Sequence, residues 1–286
     1  MRFHLSTMNH HDLAADTLKE QIVWLTEGLE SLGHTVGYSH DSGDGDAINI
    51  LWESFHPIVA RQLVESGKRY AIVATEIPDG GGWNGHRNRG WKTRWKGFKL
   101  AASKAEFIWT LIPESIPQYE KMGIRASYLE YGFSERLVMR GKKNRDIDFF
   151  FYGGCGGHRQ DRINALGKAG FVALHPGQIL TADVRDAMMR RAKVILGLKY
   201  GEDWSYTSAS RIGRAILGNC AVAHEWTEKV LRPAHLVPMM PKGGDWVEFA
   251  ANVASKWKLH AEAAMERYRL EMPIKRTMEA ALEGVM

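Results

Sequence analysis

The chain has 286 residues, 44% of them hydrophobic and 25% charged, the composition of a globular protein long enough for two compact domains with a core each. No apolar run approaches the roughly 18–20 residues that cross a bilayer, and the two cysteines, Cys155 and Cys220, argue against a disulfide framework or a structural zinc site and fit a reducing cytosol. The net charge of +5 suits an acidic substrate or partner.

In chain order, RFHLSTM reads as a first strand, without the charged-then-apolar layout of a secretory signal, so a cytoplasmic location is expected. Leu13 to Leu32 carries apolar residues at helical spacing and stops at Gly33. HTVGYSH, AINILW and RYAIVATEI follow as strands, with SHDSGDGDA as a turn-rich loop and a helix from Pro57 to Ser66 before the third. The segment from Trp83 to Lys104 carries Arg87, Arg89, Lys92, Arg94, Lys96, Lys99 and Lys104 with no acidic residue, interleaved with Trp83, Trp91, Trp95 and Phe98. It is expected to begin as loop and become helix near Trp91. The strand FIWTLI, the short helix SIPQYEKMG and the strand ASYLEYG complete a doubly wound half, since parallel strands need crossovers and this alternation supplies them.

Phe133 to Arg145 is polar and basic, and the domain boundary is placed there, giving domains over 1–140 and 141–286. The second half repeats the pattern: DFFFYGG, a helix from Arg159 to Lys168, FVALHPG, a helix from Thr181 to Arg191, KVILGLK, a helix from Ser208 to Leu217, AVAHE, a helix from Thr227, and HLVPMM. A long helix from Asp245 to Met272 ends at Pro273, and a last helix runs from Ile274 to Leu282. The fold class is α/β, with two Rossmann-like doubly wound domains.

Two strand–turn–helix units stand out, Ile147 to Gly170 and Lys193 to Trp226. In open α/β sheets anionic ligands lie at strand C-termini, where free helix amides and the helix dipole favour negative charge, so the second half is expected to hold a phosphorylated ligand. G-x-G-x-x-G would need glycine where Arg159 stands, and no Walker sequence occurs, which sets aside nicotinamide dehydrogenases and nucleotide kinases.

The strand FFFYGG opening onto a helix, the element SASRIGRAILGNCAVAHE and the kinked C-terminal helix pair resemble a nucleotide-sugar glycosyltransferase of the GT-B fold. The nearest variety is the spore-protein-like or family-1-like enzyme whose C-domain carries R-x-x-E-A-x-x-x-G-x-x-x-x-x-E. The resemblance implies two domains facing a cleft, acceptor on the N-terminal side and nucleotide-sugar on the C-terminal side, with a UDP-sugar the leading donor, no covalent cofactor and no protein-bound metal. Donor contacts are then expected from Gly153, Gly154, Arg159, Lys199, Ser208, Ser210, Arg211 and Glu225, the last as acceptor of hydrogen bonds from a ribose or sugar diol. Glycine in a tight turn and serine at a helix start have equally good structural reasons to be there. The pattern departs at Arg214, where the family often has the glutamate that holds ribose in retaining enzymes.

A base for the acceptor hydroxyl is sought at strand ends of the first half, where the cluster Asn9-His10-His11-Asp12, Glu53, and Glu76 with Asp79 qualify. His11, Asp12 and Glu76 are the leading choices, although Asp12 also suits a helix cap. Cations alternating with tryptophans suit a polyanion, so Arg87, Arg89, Trp91, Lys92, Arg94 and Trp95 are assigned to the acceptor, with a hydroxylated base in DNA as a specific candidate. The tryptophans could equally form the buried side of a helix. Other readings stay open: a catalytically silent nucleic-acid-binding relative, a transferase acting on a phosphorylated glycan or lipid, and a different two-domain enzyme such as a sugar-nucleotide epimerase.

Overall fold

A computed structural model describes residues 1–79, 82–86, 88–140 and 144–286. The chain divides into two compact units, Met1–Glu130 with Lys275–Met286, and Tyr131–Ile274.

The first unit is built from β1 (Arg2–Ser6), α1 (Asp12–Thr17), α2 (Lys19–Ser31), β2 (Thr35–Ser39), β3 (Ile48–Trp52), α3 (Pro57–Glu65), β4 (Tyr70–Ala74), α4 (Arg89–Ala102), β5 (Ile108–Thr110), α5 (Ile116–Lys121) and β6 (Ala126–Tyr128). Its six strands pair in parallel in the order β2-β1-β3-β4-β5-β6. INILW and YAIVA are buried at every position, as parallel strands covered on both faces must be. The single helix expected over Leu13 to Leu32 is two, meeting at Leu18. The Thr17 hydroxyl turns back to the Ala14 carbonyl at 2.7 Å, a local bond that competes with helix continuation.

The second unit contains β7 (Ile147–Phe150), α6 (His158–Lys168), β8 (Ala173–Leu174), α7 (Ala182–Met189), β9 (Ala192–Gly197), α8 (Ala209–Leu217), β10 (Ala221–His224), α9 (Trp246–Ser255) and α10 (Trp257–Glu271). Its four strands are parallel in the order β10-β9-β7-β8. The helix expected from Thr227 does not form. Lys229 pairs in extended fashion instead, its amide donating to the Ser205 carbonyl at 2.8 Å and its carbonyl accepting from Thr207 at 3.1 Å. HLVPMM contributes one bridge, Met239 to His224, rather than a strand, and the long C-terminal helix is interrupted at Lys256.

Residues 131–140 belong to the second unit, because the Met139 amide donates to the Leu217 carbonyl and Arg214 donates to the Leu137 carbonyl. The separation therefore falls about ten residues before the expected boundary. From Lys275 onward, α11 (Ile274–Glu283) and the tail rejoin the first unit. Trp109 Nε1 and Ser127 Oγ both donate to the Ala281 carbonyl, at 3.1 and 2.7 Å.

Each sheet has one place where consecutive connections depart in opposite directions, between β1 and β3 in the first unit and between β7 and β9 in the second. The crevice outside the carboxyl ends of such strands is where doubly wound folds bind ligands. Strand order thus puts the loops after β1, β3, β7 and β9 at the two crevices.

Candidate functional site

In the second unit, Phe151 and Tyr152 follow β7 and the chain turns through Gly153 to Gly157 into α6. Gly153 has φ of +106°, a conformation that disfavours side chains, and a Cβ there would lie 3.1 Å from Arg211 Nη2. Arg159, on the first turn of α6, is 9% exposed. Its Nε donates to the Lys199 carbonyl at 2.9 Å, its Nη1 to the Gly154 carbonyl at 2.7 Å and its Nη2 to the Leu198 carbonyl at 3.4 Å. The side chain thereby fastens the glycine turn to the loop after β9. Burial, with the nearby Arg211 charge, lowers its pKa to about 10.

Arg211, on the first turn of α8, holds its guanidinium carbon 4.9 Å from the Phe151 ring centre and 5.6 Å from that of Tyr152. Ser208 is the N-cap of that helix, yet its hydroxyl makes no capping bond, and Ser210 is half-buried in the same turn. The structure thus gathers Gly153, Gly154, Arg159 and Arg211 at the carboxyl ends of β7 and β9, with Ser208 and Ser210 on the helix that supplies Arg211. Lys199 is used differently: its Nζ is held by the Glu202 carbonyl, and its backbone serves Arg159 and Glu225.

Glu225 is 1% exposed and is not an open acceptor for a diol. Its Oε1 accepts from Arg162 Nε at 2.8 Å, its Oε2 accepts from the Lys199 amide at 2.9 Å, and both oxygens lie 2.9–3.0 Å from His158 Nε2. It knots α6 to the loop after β9. His158 and Arg162 escaped the sequence reading, although their i, i+4 spacing puts both on one face of α6. Beside them His224 is buried over Gly197, where an added Cβ would come within 2.2 Å of the imidazole Cδ2. Burial pushes the His224 pKa down to about 4, leaving it neutral near pH 7.

Arg214 has a structural duty. It is buried, with Nη1 on the Leu137 carbonyl at 2.7 Å and Nη2 on Asp186 at 2.5 Å, so it braces the chain before β7 against α7.

In the first unit, Asn9 Nδ2 donates to the carbonyls of Trp52 and Ser54, at 2.7 and 2.9 Å, tying the loop after β1 to the loop after β3. His11 and Asp12 do not make an acid–base pair. His11 is exposed and caps α1, its Nδ1 accepting from the Ala14 amide at 3.4 Å, while Asp12 meets His40 Nε2 at 3.1 Å. The inward imidazole is His10, 3.0 Å from Asn9 Oδ1, and burial, then the charge of Arg94, lowers its pKa to about 4.

Glu53 is buried behind Thr75, accepting from the Thr75 hydroxyl at 2.7 Å and the Thr75 amide at 3.1 Å. Burial, then the neighbouring Glu76, pushes its pKa up to about 7. Glu76 is half-buried, 3.6 Å from Arg94 Nη2 and hydrogen-bonded by Asn84 Nδ2; Asp79 accepts from the Gly85 amide. The Arg94 guanidinium carbon lies 4.2 Å from the Trp91 ring centre, and the Trp91 ring stacks on His86 at 4.5 Å. Asn9, Phe55, Asn88, Arg89, Trp91 and Arg94 line a cavity of about 720 Å³.

The basic segment therefore splits. Arg89, Trp91 and Arg94 face this cavity and Lys92 is exposed, whereas Trp95 is a core residue packed on Trp83 and Phe98 at 4.8 and 5.5 Å. Arg87 lies outside the described residues.

No family model matches the chain, and no curated protein matches it in sequence. Among solved structures it is similar to the DNA-modifying enzyme β-glucosyltransferase, determined with and without its substrate uridine diphosphoglucose: 9% identity and a TM-score of 0.59, over 100% of this chain and 99% of that one. It is also similar to an S. aureus TarM mutant in complex with fondaparinux, α-GlcNAc-glycerol and UDP, at 10% identity and a TM-score of 0.53, over 85% of this chain. The chain spans 56% of that TarM structure and 55% of another. At these identities the likeness is one of fold, and the fold is that of the GT-B glycosyltransferases.

Proposed function

We propose that this GT-B chain is a glycosyltransferase that moves a sugar from a nucleoside-diphosphate sugar, a UDP-sugar first among them, to a hydroxyl of a polyanionic acceptor, with a hydroxylated base in DNA as the specific candidate. The observation that carries the reading is Arg159 beside Arg211 at the carboxyl ends of β7 and β9. Among the described residues the hydrogen-bond partners of buried Arg159 are all neutral backbone carbonyls. Two guanidiniums there, with the N-termini of α6 and α8, supply the positive potential that a departing diphosphate requires.

In the reaction so proposed, the acceptor oxygen bonds to the anomeric carbon as the bond from that carbon to the diphosphate oxygen breaks. The nucleoside diphosphate leaves with the bonding pair, opposite Arg211. The acceptor proton passes to the Glu76 carboxylate, which Arg94 and Asn84 hold in place. Arg89 and Arg94 at the cavity give an anionic acceptor its cations, with the Trp91 ring beside them. The likeness in fold to a DNA-modifying glucosyltransferase supports the DNA candidate. Arg214, which would otherwise favour a silent relative, is accounted for by its role beneath residues 137–139.

The test is calorimetric titration with uridine, guanosine, thymidine and adenosine diphosphates and their sugars, repeated with hydroxymethylated DNA. Binding of one nucleoside diphosphate, and sugar transfer that needs the DNA, are expected. Silence toward all four nucleotides would overturn the reading.

A further inference from the structure

We propose that the outer face of α4 is a rail for the phosphodiester backbone of a nucleic-acid strand, formed by Arg89, Lys92, Lys96 and Lys99; this rests on the polyanionic-acceptor reading and extends it beyond the cavity. The helix sorts its side chains by period. Trp95, Phe98, Ala101 and Ala102 are buried, and Gly97 fixes that face, since a Cβ there would come within 2.3 Å of the Phe55 carbonyl oxygen. Arg89, Lys92, Lys96 and Lys99 recur at spacings of three, four and three, which aligns them on one face, and all four are exposed. At about 1.5 Å per residue the row is about 15 Å long.

Nothing of opposite sign offsets it locally. No acidic residue occurs between Trp83 and Lys104, and among the described residues none of the four cations is in an ion pair. Like charges three and four residues apart disfavour a helix. A row of phosphates laid along it removes that repulsion and releases the strand's condensed counterions.

Two observations select a nucleic-acid strand over an anionic membrane. A helix that lies on a membrane inserts an apolar face beside its cations, but of the large apolar side chains of α4, Trp95 and Phe98 are spent in the core and Trp91 and Leu100 pack against it. Arg89 belongs both to the row and to the lining of the 720 Å³ cavity, so a strand on the row leads to Trp91 and Arg94.

The experiment is fluorescence anisotropy of a labelled, hydroxymethylated 20-base-pair duplex with the full chain between 50 and 200 mM salt, with uridine diphosphate titrated in parallel. For about four phosphate contacts, log affinity should fall with log salt at a slope near −3.6. In Lys92→Glu/Lys96→Glu/Lys99→Glu the slope should flatten to about −0.9 and affinity should drop at least tenfold, with melting temperature and nucleotide affinity unchanged. The alanine triple, which suits a helix, should show the same direction if the charge reversal compromises folding. Equal duplex binding by wild type and both triples, or no duplex binding by wild type, overturns the rail. So does binding to phosphatidylserine vesicles that the triples abolish while duplex binding persists. Nucleotide binding without duplex binding removes the rail and leaves the transferase reading; duplex binding that needs the lysines, without any nucleotide binding, does the reverse.

Discussion

Glu225 and His158 meet at the carboxyl ends of the second sheet, the imidazole Nε2 lying 2.9 and 3.0 Å from the two carboxylate oxygens, 67 residues apart in the chain. The carboxylate also takes Arg162 and the Lys199 amide, so one buried side chain sets the distance between α6 and the loop that carries Lys199. Whatever binds at the glycine turn meets a surface whose two walls this residue holds together.

Removing it should cost stability before it costs affinity. Glu225→Ala leaves a half-buried arginine and an amide without their acceptor, a loss of about 3–5 kcal/mol for a broken buried pair. Glu225→Gln keeps an acceptor and should lose less. Urea unfolding of both variants measures this. An alanine variant of native stability with impaired nucleotide binding would instead make Glu225 a ligand contact.

Arg159 and Arg211 should separate by assay. Arg159 is spent on three backbone carbonyls, each worth about 1–3 kcal/mol if left unsatisfied, so Arg159→Ala should unfold at markedly lower denaturant. Arg211→Ala should keep most of its stability and bind nucleoside diphosphate about ten- to a hundredfold more weakly, the worth of a charged hydrogen bond. Equal affinity for wild type and Arg211→Ala in the same titration would remove Arg211 from the donor site.

The elements most legible in the sequence were those whose signal is local. INILW, apolar but for Asn49, and YAIVA are buried on both faces, and the glycine-rich stretch after β7 turns into α6 as its composition implies. What escaped depends on partners distant in the chain. THR-GLU-LYS-VAL at 227–230 has helical composition, but pairing with residues 205–207 claimed its backbone groups. Trp91 and Trp95 sit one turn apart in one basic helix, yet Trp95 reaches Trp83 and Phe98 in the core while Trp91 stops at the cavity. His10 and His11 differ by one residue in a loop, and only the loop's path decides that His10 turns inward and His11 caps a helix. In the sequence Glu225 looks like a free strand-end carboxylate because its partners on α6 lie more than sixty residues earlier.

Stability should vary with pH through three groups shifted by burial, Glu53, His10 and His224. Glu53 titrates near 4.5 when unfolded and at about 7 when folded, raised first by burial and then by Glu76. A carboxyl whose folded pKa is raised contributes stability that is complete below pH 4.5 and is lost as pH rises through 7, a change on the order of 3 kcal/mol. His10 and His224 act in the opposite sense: both are lowered from 6.5 to about 4 by burial, so their contribution is present above pH 6.5 and is lost as pH falls toward 4. The windows overlap between pH 4.5 and 6.5, where the two histidines outweigh the one carboxyl, so wild type should gain stability up to about pH 6.5 and decline from there to about pH 7. Glu53→Gln cannot ionise, and its amide can still accept from the Thr75 N–H and donate to the Thr75 hydroxyl oxygen. The variant should show a steeper acid-side loss, no longer offset by the carboxyl, and no decline above pH 6.5. Urea midpoints at pH 4, 5, 6, 7 and 8 for both proteins decide it, and parallel curves across pH 5–8 would show that Glu53 does not carry the neutral-range dependence.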